Sequence, residues 1–170
     1  LVDKGGKCMV FEVDVTDKVM VSGNVKFIED KLGPVDCVVN NAGFFSILLL
    51  LFLLTFFFST FCVVSGKAVM GEFLETSLDD CEDVLRVNLF SHLYVCKSVL
   101  GGMVKRNKGI IVQVSSVMDE LTINNLSSYC ASKAAASSFA MCLRQELLAK
   151  SSFFVFVFCV FFLCMLILLL

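Results

Sequence analysis

Tyr129 and Lys133 stand four residues apart in Ser127-Ser-Tyr-Cys-Ala-Ser-Lys133. On a helix that spacing projects both side chains from one face. A lysine cation beside a phenol favours the phenolate and lowers a pKa ordinarily about 10, so the tyrosine can exchange a proton near neutral pH. Thirteen residues before Tyr129 comes Ser116, at the end of the apolar run Ile110-Ile-Val-Gln-Val114. A tuned phenol beside a serine hydroxyl is a proton donor with a carbonyl-polarising partner. That pair serves ketone reduction or alcohol oxidation once a hydride carrier supplies the other half. Taken alone, Tyr-x-x-x-Lys also recurs on surface helices as a solvated pair.

These residues need elements to hold them. Residues 8–15, Cys-Met-Val-Phe-Glu-Val-Asp-Val, predict a strand at about 8–14. Thr16 or Asp17 can cap a following helix that stops at Gly33-Pro34. Val35 to Val39 reads as a strand buried on both faces and ends in Asn40-Asn41-Ala42-Gly43. From Ser77, capped with Asp80, apolar spacing predicts a helix up to Gly101-Gly102. Ile110 to Val114 is a further buried strand, and the last helix runs from about Ser127 to Lys150. Alternating strands and helices imply right-handed crossovers and a parallel sheet covered by helices on both faces. Functional residues of such sheets gather at the carboxyl ends of strands, where Asp14, Asn40 to Gly43 and Ser116 fall.

Together, Asn40-Asn41-Ala42-Gly43, Asn88 within Arg86-Val87-Asn88, Ser115-Ser116 and Tyr129-Cys130-Ala131-Ser132-Lys133 resemble the classical short-chain dehydrogenase/reductase family over residues 8–43 and about 68–150. The resemblance implies an α/β, Rossmann-like, doubly wound parallel sheet, truncated at both ends. It implies Tyr129 as catalytic acid/base, Lys133 as a nicotinamide-ribose ligand that depresses the tyrosine pKa, Ser116 orienting the substrate oxygen, and Asn88 holding a water of the proton relay. On the cofactor side it implies Asp14 near the adenine ring and Asn40, Ala42 and Gly43 at the turn beside NAD or NADP. Tyr129 and Lys133 also belong to that set. Asn88-Leu-Phe-Ser-His92 and the tyrosine motif look more like members acting on lipophilic alcohols and ketones than on sugars. The family's glycine-rich pyrophosphate turn has no counterpart, since Gly5-Gly6 follows no strand.

The 170 residues are 58% apolar and 18% charged, with 18 Phe and a net charge of -2. That excludes a disordered chain or a basic nucleic-acid binder. The apolar excess sits in residues 44–65 and 151–170, which contain no Asp, Glu, Lys, Arg or His and hold 13 of the 18 Phe. Residues 1–43 and 67–150 then form a partial dehydrogenase domain, with 44–66 an apolar insertion and 151–170 an apolar tail. Two readings are open for these stretches: apolar helical, membrane-spanning segments, for which 22 uncharged residues suffice, or translated non-coding sequence. A single span at 44–65 would separate Asp14 and Asn40 from Ser116 and Tyr129 across a membrane, which favours the second reading.

The nine cysteines are odd in number and form no C-x-x-C pair, so they read as reduced thiols rather than disulfides or metal ligands. His92 is the one histidine, and with no second imidazole no metal site is expected. Leu1 is not an initiator Met, and the sequence reads as starting inside a longer protein. The expected activity is NAD(P)-dependent interconversion of an alcohol and a carbonyl in the cytoplasm or on the cytosolic face of an intracellular membrane. Homo-oligomer formation stays open. The competing expectation is a membrane-associated, non-catalytic fragment unable to bind a dinucleotide.

Overall fold

A computed structural model of the protein describes residues 10–41, 60–64, 66–148 and 154–158. In chain order these form α1 (Lys18–Leu32), β1 (Cys37–Asn41), β2 (Thr60–Val64), α2 (Leu78–Leu85), a π-helical turn (Arg86–Phe90), α3 (Ser91–Arg106), β3 (Ile110–Val114), a 3-10 turn (Val117–Asp119), α4 (Ser127–Leu148) and β4 (Phe154–Phe158). The four strands make one sheet in the order β2-β1-β3-β4, and every pair is parallel. From β1 the chain first moves outward to β2, then crosses back past β1 to β3 and β4. The direction of winding therefore reverses between β1 and β3.

Local chemistry sets the element ends. The Asp17 carboxylate accepts Val19 N at 2.7 Å and Met20 N at 3.1 Å, satisfying two of the donors that a helix start leaves open. α1 stops at Gly33, whose φ of 92° is readily reached only without a Cβ. Val38 of β1 and Ile111 of β3 are register partners, and they face a cluster with Val21, Val25 and Ile28 of α1, Val95, Val99 and Met103 of α3, and Leu143 and Leu147 of α4. The alternate strand positions Cys37, Val39, Val112 and Val114 are buried on the opposite face. Among the described residues, the three long helices all lie on the Val38 and Ile111 side.

Several expectations change. Residues 10–13 form no strand: Val13 packs partly on the core, but among the described residues no neighbouring strand pairs with this segment, and alternation without a ladder does not make a strand. The helix expected to end at Gly101-Gly102 continues to Arg106, because Met103 is anchored in the core and Asn107, at φ 49°, supplies the left-handed cap. The apolar stretches were expected to be helical, yet Thr60–Val64 and Phe154–Phe158 are strands pairing with β1 and β3. Both runs are rich in β-branched and aromatic residues, and pairing covers the outer edges of β1 and β3 while satisfying the inward backbone groups of the new strands. Other residues of 44–65 and 151–170 lie outside those described. Among the described residues no helix is long and apolar enough to cross a membrane.

The fully buried Met103 and the surface cap Asp17 separate two scales of stabilisation. In urea unfolding, Met103→Ala is expected to cost about 2–5 kcal/mol through the cavity it leaves. Asp17→Ala should cost about 1 kcal/mol through lost capping. Equal losses at the two positions would contradict the assigned core.

Candidate active site

A reversal of winding opens a crevice beyond the carboxyl ends of the two strands that flank it. Here those ends are Asn40-Asn41 of β1 and the Ser115-Ser116 pair that follows β3. The first turns of α4 bring Tyr129 and Lys133 into the same region. Tyr129 is half-buried, whereas Lys133 is 0% exposed, with Nζ 5.7 Å from the centroid of the Tyr129 ring. Stripping water from the ammonium pushes its pKa down from 10.5 to about 8, and the negative charge of Asp119 works in the opposite direction.

Asn88 sits in the π-helical turn, is buried, and is occupied on every side. Its Oδ1 accepts Lys67 N at 3.0 Å, while Nδ2 donates to Lys67 O at 2.8 Å and to Ser132 Oγ at 3.0 Å. Ser132 Oγ donates in turn to Tyr129 O at 2.7 Å. One side chain thus ties the irregular segment at Lys67 to the α4 turn that carries the tyrosine. The wider π turn is a known accommodation at such positions.

Ser116 caps the 3-10 turn, its Oγ accepting Met118 N at 3.2 Å. No hydrogen bond joins it to Tyr129 among the described residues. Its neighbour Ser115 is buried and donates to Asp119 Oδ2 at 2.5 Å, and Ser137 Oγ of α4 reaches the same oxygen at 2.6 Å. Sequence reasoning passed over Asp119 and Ser137. Ser137 continues the Tyr129, Lys133 spacing by another four residues, but nothing in the sequence pattern points to Asp119.

The residues assigned to cofactor binding are less united. Asp14 is exposed, and the Thr16 hydroxyl (2.7 Å) and then the Thr16 N–H (2.9 Å) hold its carboxyl below the usual range. No hydrogen bond connects it to Asn40 or Lys133 among the described residues. Asn40 points beneath the sheet end, where Nδ2 lies 3.5 Å from both Cys96 Sγ and Gln113 Oε1, and its buried Oδ1 has no hydrogen-bond partner among the described residues. Gln113 donates to His92 Nδ1 at 2.6 Å. Burial, and then the charge of Lys133, push the His92 imidazole down to about 3, so it is neutral at physiological pH. Burial pushes the Cys96 thiol up to about 12, partly opposed by the Asn40 hydrogen bond, leaving an inert thiol. Ala42 and Gly43 lie outside the described residues.

The family model described as "short chain dehydrogenase" matches residues 1–161. Among curated relatives, 17-beta-hydroxysteroid dehydrogenase 13 of Rattus norvegicus is 29% identical over 143 residues, covering 84% of this chain and 40% of that protein. Short-chain dehydrogenase/reductase family 16C member 6 of Bos taurus is 31% identical over 162 residues, covering 94% of this chain and 44% of that protein. The chain therefore spans less than half the length of these relatives. A gluconate 5-dehydrogenase from Burkholderia cenocepacia J2315, solved in complex with NADP and tartrate, superposes with a TM-score of 0.68 at 22% identity over 86% of this chain and 48% of that one, which speaks to the fold. The family match over nearly the whole chain agrees with the parallel sheet and its winding reversal, and the protein belongs to the short-chain dehydrogenase family.

Proposed function

We propose that the protein is an NAD- or NADP-dependent oxidoreductase that interconverts an alcohol and a carbonyl on a lipophilic small molecule, with Tyr129 as acid/base. The observation that carries this reading is the Lys133 ammonium, fully buried yet 5.7 Å from the Tyr129 ring centre, at the strand ends where winding reverses. A fixed cation in that place steadies the charge that passes over the phenol oxygen while Tyr129 gives a proton to a nascent alkoxide or takes one from an alcohol. Ser116 accepts from Met118 N, which leaves its own hydroxyl hydrogen for a substrate oxygen. Asn88 and Ser132 hold the α4 turn, so the phenol does not drift during proton transfer.

The residues present fit the nicotinamide-ribose end of a dinucleotide: Lys133 is a desolvated donor beside Tyr129, able to bond ribose hydroxyls. When bound, NAD(P) would supply or accept the hydride. The resemblance adds Asp14 and the Asn40, Ala42 and Gly43 turn to the binding set, with Asn40 bracing the strand end from below. The lipophilic class rests on the sequence resemblance and on relatives named as hydroxysteroid dehydrogenases.

Dihydronicotinamide fluorescence, excited to the red of protein absorption, reads dinucleotide binding directly. NADH and NADPH titrations, with turnover assayed on a panel of retinoid, steroid and long-chain secondary alcohols, test the reading. Tyr129→Phe should abolish turnover while leaving dinucleotide binding nearly intact, because it removes only the transferable proton. Lys133→Ala should impair both. Retention of more than about a tenth of the turnover by Tyr129→Phe would remove the tyrosine from the acid/base role, and failure of the wild-type chain to bind either dinucleotide would overturn the cofactor assignment.

Buried Lys133 also links pH to stability. Its folded pKa of about 8 lies below the ordinary 10.5, so between those values the unfolded chain binds more protons and stability rises with pH. Below pH 8 the full cost of the buried ammonium is present, about 3 kcal/mol from the size of the shift. Lys133→Met should accordingly be more stable than wild type at pH 7 by up to that amount. The gap should close as pH rises from 8 to 10.5. Urea unfolding of both proteins across that range measures it, and a gap that widens with pH would contradict the buried cation.

A further inference from the structure

Asp119 has no part in the proton chemistry above, yet two side chains converge on it. Its Oδ2 accepts Ser115 Oγ at 2.5 Å and Ser137 Oγ at 2.6 Å, and those two hydroxyls are themselves 2.5 Å apart. Two hydroxyl hydrogens serve three contacts, and the carboxylate oxygen, the strongest acceptor present, takes both. Each corner belongs to a different element. Ser115 leaves β3 directly before Ser116, Asp119 ends the 3-10 turn that Ser116 caps, and Ser137 lies on α4 one helical turn beyond Lys133. The remaining oxygen, Oδ1, is buried with no hydrogen-bond partner among the described residues. An ionised oxygen left that way is costly unless a cation shares its surroundings.

The charged and titratable groups around Lys133 are Tyr129 on its own helix, His92 on α3 and Asp119 on the 3-10 turn. Asp119 is the anion among them. We propose that Asp119 is a positioning residue of the site: through Ser115 and Ser137 it locks the Ser116 turn against α4, so that the serine hydroxyl and the Tyr129–Lys133 pair keep one relative placement. Its consequence for turnover rests on the oxidoreductase reading, whereas the clamp itself can be read in the free protein. The charge has a second effect, because it offsets part of the desolvation that works against the Lys133 ammonium.

Three measurements on the full chain test the clamp: amide hydrogen exchange of Met118, whose N–H rests on Ser116 Oγ; global stability in urea; and an NMR titration of the Lys133 side chain. Asp119→Asn keeps an acceptor oxygen and drops the charge. Asp119→Ala drops both, Ser137→Ala removes one arm, and Ser137→Thr keeps the hydroxyl. Met118 exchange should accelerate about tenfold or more in Asp119→Ala and Ser137→Ala, beyond any change in global stability. It should stay within about threefold of wild type in Asp119→Asn and Ser137→Thr. Lys133 should titrate lower in both Asp119 variants.

Unchanged Met118 exchange in Ser137→Ala would overturn the proposal. So would a loss that only tracks global stability and is not rescued by Ser137→Thr. Should Asp119→Ala fail to fold, the Ser137 pair and Asp119→Asn decide the question. If Met118 responds as expected while no variant, wild type included, oxidises any alcohol, the clamp stands and the oxidoreductase reading falls.

Discussion

Taking a lysine ammonium out of water costs several kcal/mol even after a protein relaxes around it. Lys133 is nevertheless fully buried in a chain whose other long helical cations are mostly at the surface. Much of the polar architecture near α4 answers to that one group. The aromatic face of Tyr129 lies beside it, and Asp119 brings a negative charge from the neighbouring turn. Asn88 and Ser132 keep the helical turn from opening, which would let water in and release the strain on the cation. The charge of Asp119 offsets only part of that cost, so the buried ammonium adds no net stability; what it contributes is a fixed place for a charge.

His92 belongs to the same balance. Its position beneath the sheet end gives the imidazole no water, and Lys133 adds a repulsive charge, so protonating it would place two cations in one dry region. The ring stays neutral and serves as a hydrogen-bond acceptor for Gln113. Gln113 and Asn40 are register partners on adjacent strands and point to the same side, so the cluster braces β1 against β3 and α3 just below the crevice. Its chemistry is structural, with an imidazole and a thiol both held in their uncharged forms.

The sequence made the parallel sheet legible because Val35 to Val39 and Ile110 to Val114 are apolar runs with no alternation, and such strands belong in sheets buried on both faces. Tyr129 and Lys133 were legible for a similarly local reason, a helical spacing of four. Asp119 was not, since its partners Ser115 and Ser137 come together only when the turn folds back on α4. The stop expected at Gly101-Gly102 failed because propensity is a weak force beside the burial of Met103 one residue later. The strands at Thr60–Val64 and Phe154–Phe158 were hidden by the very absence of charge that suggested a membrane: apolar character says a segment will be buried, but not against what.

The parallel arrangement explains why the polar residues collect at one edge. β1 reads Cys37-Val38-Val39 and then Asn40-Asn41, while β3 reads Ile110-Ile111-Val112 and then Gln113, with Ser115-Ser116 following. Each strand turns polar toward its carboxyl end, and the register sets Asn40 beside Gln113 and Asn41 beside Val114. In an antiparallel sheet the same two gradients would cancel, sending one polar end to each edge. With parallel strands they add, so one edge is a continuous apolar core and the other gathers amides, hydroxyls and the buried cation. The winding reversal between β1 and β3 leaves that polar edge uncovered by a crossover at the point where the two strands meet. The site is thus a consequence of strand direction as much as of any single side chain, since β1 and β3 pair directly although residues 44–65 lie between them in sequence.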